Sequence, residues 1–228
     1  MTPSRFDEEA AEWDSKPFTV ASSKKAFDAL RTHVAALESR GKLEVLEIGC
    51  GTGLLSLLLA PHVKSLTAVD PSPGMISVLQ SKLAVQTGGT NVKPVCALLE
   101  DADDARIRDV ADTPKRFDII TSHLVLHHVP DLGMLFKVMY QALKPSGMVA
   151  LTDFEDYGPE ARKFHPESKM EGVERHGVQR DLVEAQLKEA GFENVRIETA
   201  FTMDKPTEGV AGGTMSFPFL LCYGERSA

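Results

Sequence analysis

Three glycines at alternate positions, Gly49, Gly51 and Gly53, stand between an apolar run at 45–48 and a leucine-rich run at 54–60. Few arrangements satisfy that pattern. Val45, Leu46 and Ile48 suit a short buried strand, and Leu54, Leu55, Leu57, Leu58 and Leu59 suit a buried helix that Pro61 brings to an end. Between the two the chain must turn sharply. Glycine tolerates positive φ and has no Cβ to obstruct a ligand lying on the backbone. The turn also opens onto a helix N-terminus, where unpaired N–H groups and the helix dipole favour a carboxylate or phosphate. A dinucleotide-binding turn reads G-x-G-x-x-G. Here the third glycine follows after one residue, and Glu47 lies two before the first. With no ligand, the same pattern reads as a tight strand-to-helix connection.

The rest of the chain sets this turn in a repeating frame. Strands are predicted at 65–70, 92–99, 117–122 and 147–154, and helices at 71–87 and 132–143. Met75, Ile76, Leu79 and Leu83 recur at helical spacing, as do Leu132, Leu135, Val138, Met139 and Leu143. Alternation of this kind predicts an α/β domain with a doubly wound, mostly parallel seven-stranded sheet and helices on both faces. A helix at 182–190, with Gly191 at its C′ position, precedes two more strands at 194–201 and 217–223. Little helix separates that last pair, so one of them is expected to run antiparallel and to form an antiparallel edge. Ligands of such sheets lie beyond the C-terminal strand ends, near the switch in strand order. The length of 228 residues fits one domain over 1–228. Within it, residues 1–40 read as a helical cap over the site and 155–179 as a substrate-side loop.

Charge and cysteine usage narrow the partners. A net charge of −8 without a Lys/Arg cluster argues against nucleic acid. The longest apolar run is far too short for a membrane span. Cys50, Cys96 and Cys222 form an odd, sparse set without C-x-x-C spacing, which reads as reduced thiols rather than a disulfide framework. The N-terminal residues are polar and acidic, unlike a signal peptide. A cytoplasmic monomer or homodimer acting on a small molecule is expected.

Asp70 ends the second predicted strand, 17 residues after Gly53. A carboxylate there can accept hydrogen bonds from the hydroxyls of a ribose or cap the helix that Pro71 begins. Its two oxygens allow both. Leu46-Glu47-Ile48-Gly49-Cys50-Gly51-Thr52-Gly53, followed by Ala68-Val69-Asp70-Pro71-Ser72-Pro73-Gly74-Met75, resembles the first two cofactor motifs of the class I S-adenosylmethionine-dependent methyltransferase family. Phe117-Asp118-Ile119-Ile120 and Leu143-Lys144-Pro145-Ser146-Gly147-Met148 are similar to its later motifs, and in detail the likeness is to the small-molecule branch. The resemblance implies a Rossmann-like fold, S-adenosylmethionine as methyl donor and S-adenosylhomocysteine as product. It also implies a cofactor shell. Gly49, Cys50, Gly51, Thr52 and Gly53 would follow the methionine part, with Glu47 toward its ammonium. Asp70 and Pro71 would lie at the ribose, and Met75, Leu98, Leu99 and Glu100 at the adenine. Many members carry Asp where Leu98 stands, so here the adenine contact falls to the backbone of Leu98 and Leu99 or to Glu100.

The histidines bear on the acceptor. Residues 122–130 follow the fourth strand, and the resemblance places His123 toward the cofactor. His127, His128 and His176 are candidate general bases, because imidazole titrates near neutrality and suits a hydroxyl or thiol acceptor. Adjacent histidines also read as one packed and one exposed side chain. Trp13, His127, Phe164, His165 and His176 are candidate acceptor contacts, and Trp13 with Phe6 would close over the cofactor. Packing at the sheet edge and a solvated loop are the plainer readings of these residues. No metal site is expected, since neither H-E-x-x-H nor a cysteine set accompanies the histidines. The expected activity is methyl transfer to an O, S or N nucleophile of a small-molecule acceptor by in-line displacement. Two alternatives compete: a fold that binds S-adenosylmethionine with lost or different catalysis, and an NAD-dependent oxidoreductase, against which the glycine spacing speaks.

Overall fold

A computed structural model describes residues 5–38, 41–86, 90–108, 112–207 and 213–228. Its strands are β1 (Glu44–Ile48), β2 (Ser65–Asp70), β3 (Val92–Cys96), β4 (Phe117–His123), β5 (Leu143–Phe154), β6 (Glu193–Pro206) and β7 (Thr214–Glu225). They form one sheet in the order β3-β2-β1-β4-β5-β7-β6. The first five strands pair in parallel. Strand β7 runs antiparallel to both β5 and β6. The reversed strand therefore sits one place inside the edge, and β6 recovers the direction of the others. The strand order reverses at β1, so the crevice beyond β1 and β4 is the switch point where such sheets hold ligands.

Alternation along each strand divides the core between two faces. Leu46, Ile120, Leu220 and Cys222 point to one side, where helices α5 (Leu132–Ala142) and α6 (Arg180–Glu189) contribute Phe136, Met139, Val183 and Leu187. Val45, Ile119 and Leu221 point to the other, against Phe27 and Leu30 of α2 (Pro17–His33), Leu55 and Leu59 of α3 (Leu54–Leu59), and Ile76 and Leu79 of α4 (Pro73–Ala84). A third cluster, Phe154, Phe164, Met203, Phe217 and Phe219, packs where β5 meets β6 and β7. The N-terminal part begins with α1 (Arg5–Glu9) and a 3₁₀ turn at Ala10–Ser15.

Several boundaries differ from the sequence reading. Strand β3 stops at Cys96 rather than 99, and β6 and β7 are longer than expected because they pair with each other along most of their length. The helix expected at 71–87 spans Pro73–Ala84, and Thr87 lies outside the described residues. Residues 1–4, 39 and 40 of the expected cap are likewise outside them. Between β3 and β4 the described chain holds a single 3₁₀ turn, Ala105–Ile107. No described helix is long and apolar enough to cross a membrane.

Candidate active site

The glycine turn joins β1 to α3 with Gly49, Gly51 and Gly53 all at positive φ (72°, 52° and 83°). The N–H groups of Gly49 and Cys50 donate to the carbonyl of Val69 at 2.8 and 3.0 Å, which ties the turn to β2. The three glycines do different work. A Cβ on Gly49 would collide with Val125 Cγ2, and one on Gly53 with Leu79 Cδ1. A Cβ on Gly51 would meet nothing closer than 3.9 Å, with Met75 Sδ and Trp13 Nε1 as its neighbours. Gly49 and Gly53 thus allow close packing, and Gly51 leaves open space.

That space belongs to a partly open cavity of about 180 Å³. Its size is below that of most small-molecule sites, roughly 300–1,000 Å³, so its lining residues rather than its volume mark it. Glu47, Asp70, Pro71, Met75 and residues 49–52 form one wall. Phe6, Trp13, Thr19, Ser22 and Ser23 of the N-terminal segment form another, and His123, Leu124, Val125 and His128 after β4 form a third. Asp70 Oδ2 accepts from the Gly51 N–H at 2.8 Å and Oδ1 from the Ser72 N–H at 2.9 Å. Burial raises its pKa while those two N–H groups pull it back, with a net rise. Glu47 is 2% exposed and accepts the Ser56 hydroxyl at 2.5 Å. Burial pushes its carboxyl up to about 8, against the Ser56 hydrogen bond and helped by the Asp70 charge.

Two acidic side chains lash the N-terminal segment to this wall. Asp7 Oδ1 accepts from the Ser72 hydroxyl at 2.6 Å and the Gly74 N–H at 2.9 Å, at the N-terminus of α4. Asp14 accepts the Thr52 hydroxyl at 2.6 Å and pairs with Lys82, whose ammonium also donates to the Thr52 carbonyl. Phe6 meets Trp13 and His128 edge-on, with centroids 6.0 and 5.3 Å apart.

The residues named from the sequence fall into three groups. Glu47, Gly49, Cys50, Gly51, Thr52, Asp70, Pro71, Met75, His123 and Trp13 line the cavity, and so does His128. Gly53 does not line it, being packed against Leu79. Leu98, Leu99 and Glu100 do not line it either: Leu98 is 60% exposed, Leu99 is buried in the core, and Glu100 faces solvent. With β3 ending at Cys96, the next residues leave the strand direction and carry these side chains away. His127 is buried behind the cavity wall, and Phe164 stacks on Phe154 at 3.8 Å. His176 lies against Arg162, its Nε2 3.0 Å from Nη1, away from the cavity. Of the three expected bases, His127 and His128 therefore stay together and His176 lies apart. Thr19, Ser22, Ser23, Leu54 and Leu55 escaped the sequence reading as lining residues, whereas Leu124 and Val125 belong to the segment after β4 expected on the methyl-donor side. The buried pair Ser22 and Ser23, both bonded back to the Thr19 carbonyl at 3.0 Å, is a polar interruption of a helix face that could have flagged it.

The histidine environments are distinct. Thr152 donates its hydroxyl to the Ser122 carbonyl, so it accepts from His123 Nδ1 at 2.9 Å, and His123 Nε2 is buried with no hydrogen-bond partner. Burial holds His123 at a pKa of about 4. His127 Nδ1 lies 2.8 and 3.0 Å from the two carboxylate oxygens of Asp153. That carboxylate also accepts the backbone N–H of His127 and of Phe154. Burial works against charge on Asp153, yet His127 and these N–H groups hold it below the usual carboxylate range. His128 Nδ1 donates to the Gly172 carbonyl at 2.6 Å. Burial, then His127, brings His128 to about 4, and burial with its cationic neighbours brings His165 to about 2.

Comparison with known proteins supplies a context for this geometry. Residues 21–197 match the profile of a family described as Methyltransferase domain. The ubiquinone biosynthesis O-methyltransferase of Azorhizobium caulinodans is 33% identical over 110 residues, covering 48% of this chain and 40% of that protein. The malonyl-(acyl-carrier protein) O-methyltransferase of Acetivibrio thermocellus is 30% identical over 121 residues, covering 52% of this chain and 38% of that protein. The matched region thus spans about two fifths of the length of these curated relatives. The N-methyltransferase NodS from Bradyrhizobium japonicum WM9, solved with S-adenosyl-L-homocysteine, shares the fold at a TM-score of 0.59 and 19% identity, covering 98% of this chain and 97% of that one.

Proposed function

This chain belongs to the methyltransferase-domain family of class I S-adenosylmethionine-dependent enzymes, and on that premise we propose that it transfers a methyl group from S-adenosylmethionine to a nucleophile of a small-molecule acceptor. The observation that carries the reading is the convergence of Gly51, Asp70 and Glu47 on one cavity at the switch point of the sheet. These residues fit the cofactor. Gly51 leaves room where any side chain would project. Asp70 spends one hydrogen bond per oxygen on the backbone, which leaves lone pairs for the hydroxyls of a ribose. Glu47, buried below the turn, gains a counter-ion when an ammonium arrives. When bound, the cofactor supplies a methyl group on a sulfonium, which leaves as the neutral thioether. The chain itself positions the acceptor in line and excludes water, and orientation of this kind is worth roughly 7–11 kcal/mol. Phe6 and Trp13 close the cavity from the N-terminal side. Oxygen is the favoured acceptor atom, since both curated relatives above are O-methyltransferases.

Thermal unfolding with S-adenosylhomocysteine or NAD tests the cofactor. At a hundredfold excess over Kd, S-adenosylhomocysteine should add about 2.7 kcal/mol, which raises Tm by roughly 5–10 °C for a chain of this size. Stabilisation by NAD in its place rejects the reading. Labelled S-adenosylmethionine with a panel of hydroxyl, thiol and amine acceptors then tests transfer. Tight cofactor binding without transfer to any acceptor favours the non-methylating alternative.

A further inference from the structure

Three histidines from two segments distant in sequence meet beside the cavity. One nitrogen from each of His127, His128 and His165 lies within 4.8 Å of the others. The His127 and His128 rings are 3.9 Å apart between centroids, and His127 and His165 are 5.1 Å apart. Two of the rings are oriented from behind. The Asp153 carboxylate takes the Nδ1 hydrogen of His127, and the Gly172 carbonyl takes that of His128. With each Nδ1 hydrogen so placed, the neutral form of either ring presents Nε2 as a lone pair. His127 is 1% exposed, and its Nε2 is buried with no partner; His165 Nδ1 is buried with none either. Buried polar atoms are normally paired, so two partnerless ring nitrogens in one cluster mark a place for a ligand that takes lone pairs, His165 then carrying its hydrogen on Nε2.

We propose that His127, His128 and His165 bind a first-row divalent transition ion of the zinc class. Imidazole nitrogens are the donors such ions take, and a ligand histidine whose other nitrogen bonds a carboxylate or backbone carbonyl is their usual support. Zinc–nitrogen bonds of about 2.1 Å set tetrahedral ligand nitrogens about 3.4 Å apart, so the cluster needs only side-chain rotations of about an ångström to close. Three protein ligands leave a fourth position free. His128 lines the cavity and His165 lines a second, more exposed hollow with Arg162, Lys163 and Lys205. The ion is thus reachable from solvent and borders the cavity. If methyl transfer is the activity, which this part of the inference takes from the reading above, the free position would hold an acceptor oxygen or sulfur and favour its deprotonated form. Arg5 and Lys205 face the same histidines and oppose the cation, while Asp153 offsets them. A moderate affinity is therefore expected.

The test uses untagged full-length protein stripped with a chelator, then titrated with Co²⁺ and with Zn²⁺. The expected result is one ion per chain by equilibrium dialysis, with the visible absorption bands of low-coordinate Co²⁺ that Zn²⁺ displaces. His165→Ala and His128→Gln should each weaken uptake at least about tenfold, with folding checked by circular dichroism. His165 sits in a 3₁₀-rich loop, so its variant is the one expected to keep the fold. No uptake by the wild type, or uptake unchanged in a folded His165→Ala protein, overturns the proposal. S-adenosylhomocysteine binding is measured in parallel by calorimetry. Ligand binding without ion uptake sinks the ion site and spares the methyltransferase reading. Ion uptake without ligand binding supports the ion site and removes its link to methyl transfer.

Discussion

At the scale of single residues, two of the turn glycines predict separable phenotypes. Gly53→Ala places a methyl into the fully buried Leu79 at a φ that L-residues rarely adopt, so it should destabilise the fold by about 1–3 kcal/mol. Gly51→Ala shares the φ strain but meets open space, so its main effect should be on cofactor binding. Paired unfolding and calorimetry on the two variants separates these outcomes; equal loss of stability would contradict the assignment. Asp70→Ala leaves the N–H groups of Gly51 and Ser72 without their acceptor and removes the proposed ribose contact. It should lower affinity for S-adenosylhomocysteine by about 1–3 kcal/mol, and an unchanged Kd would exclude Asp70 from the site. The turn was legible in the sequence because glycine announces positive φ. The roles within it were not, because Val125 and Leu79 come from elsewhere in the chain.

Among the elements, α4 shows how far a cap can travel. Its N-terminus is held by Asp7, 67 residues before Gly74. Asp7→Ala should cost about 1 kcal/mol and lower Tm by about 2–4 °C. It should also weaken cofactor binding, because the same contact holds Phe6 and Trp13 near the cavity. Unchanged binding in this variant would mean that the N-terminal segment is held there by other contacts. Periodicity revealed β1 to β5, α4 and α5, since each is a run of neighbours in sequence. The histidine cluster was illegible for the opposite reason. His127 and His128 follow β4, Asp153 is the last residue but one of β5, and His165 lies in the loop beyond. No spacing rule joins them; only the parallel pairing of β4 with β5 does. On the side expected for adenine the difference is one of boundary: β3 ends at Cys96, two residues before Leu98, whose side chain faces solvent in this structure.

For the whole molecule, Glu47 links the site to stability. Its folded-state pKa of about 8 lies above the ordinary 4.5. Its contribution is therefore complete below about pH 4.5 and is lost as pH rises through about 8, with a slope of at most about 1.4 kcal/mol per pH unit. Glu47→Gln should flatten this part of the stability profile. Binding of an ammonium-bearing ligand near neutrality should release a proton from the wild type, seen as a calorimetric enthalpy that varies with the buffer; a buffer-independent enthalpy would contradict the buried, protonated Glu47. The placement of β7 has a different consequence, one of timing. Strand β6 is made before β7 but has no seat in the sheet until β7 lies against β5. On the ribosome, the outer border of β5 must wait for residues 214–225, with Asp153 and Phe154 among those left unpaired. The histidine pocket would then be among the last parts to mature, and a nascent chain halted before residue 214 would present a naked strand to chaperones or to its neighbours.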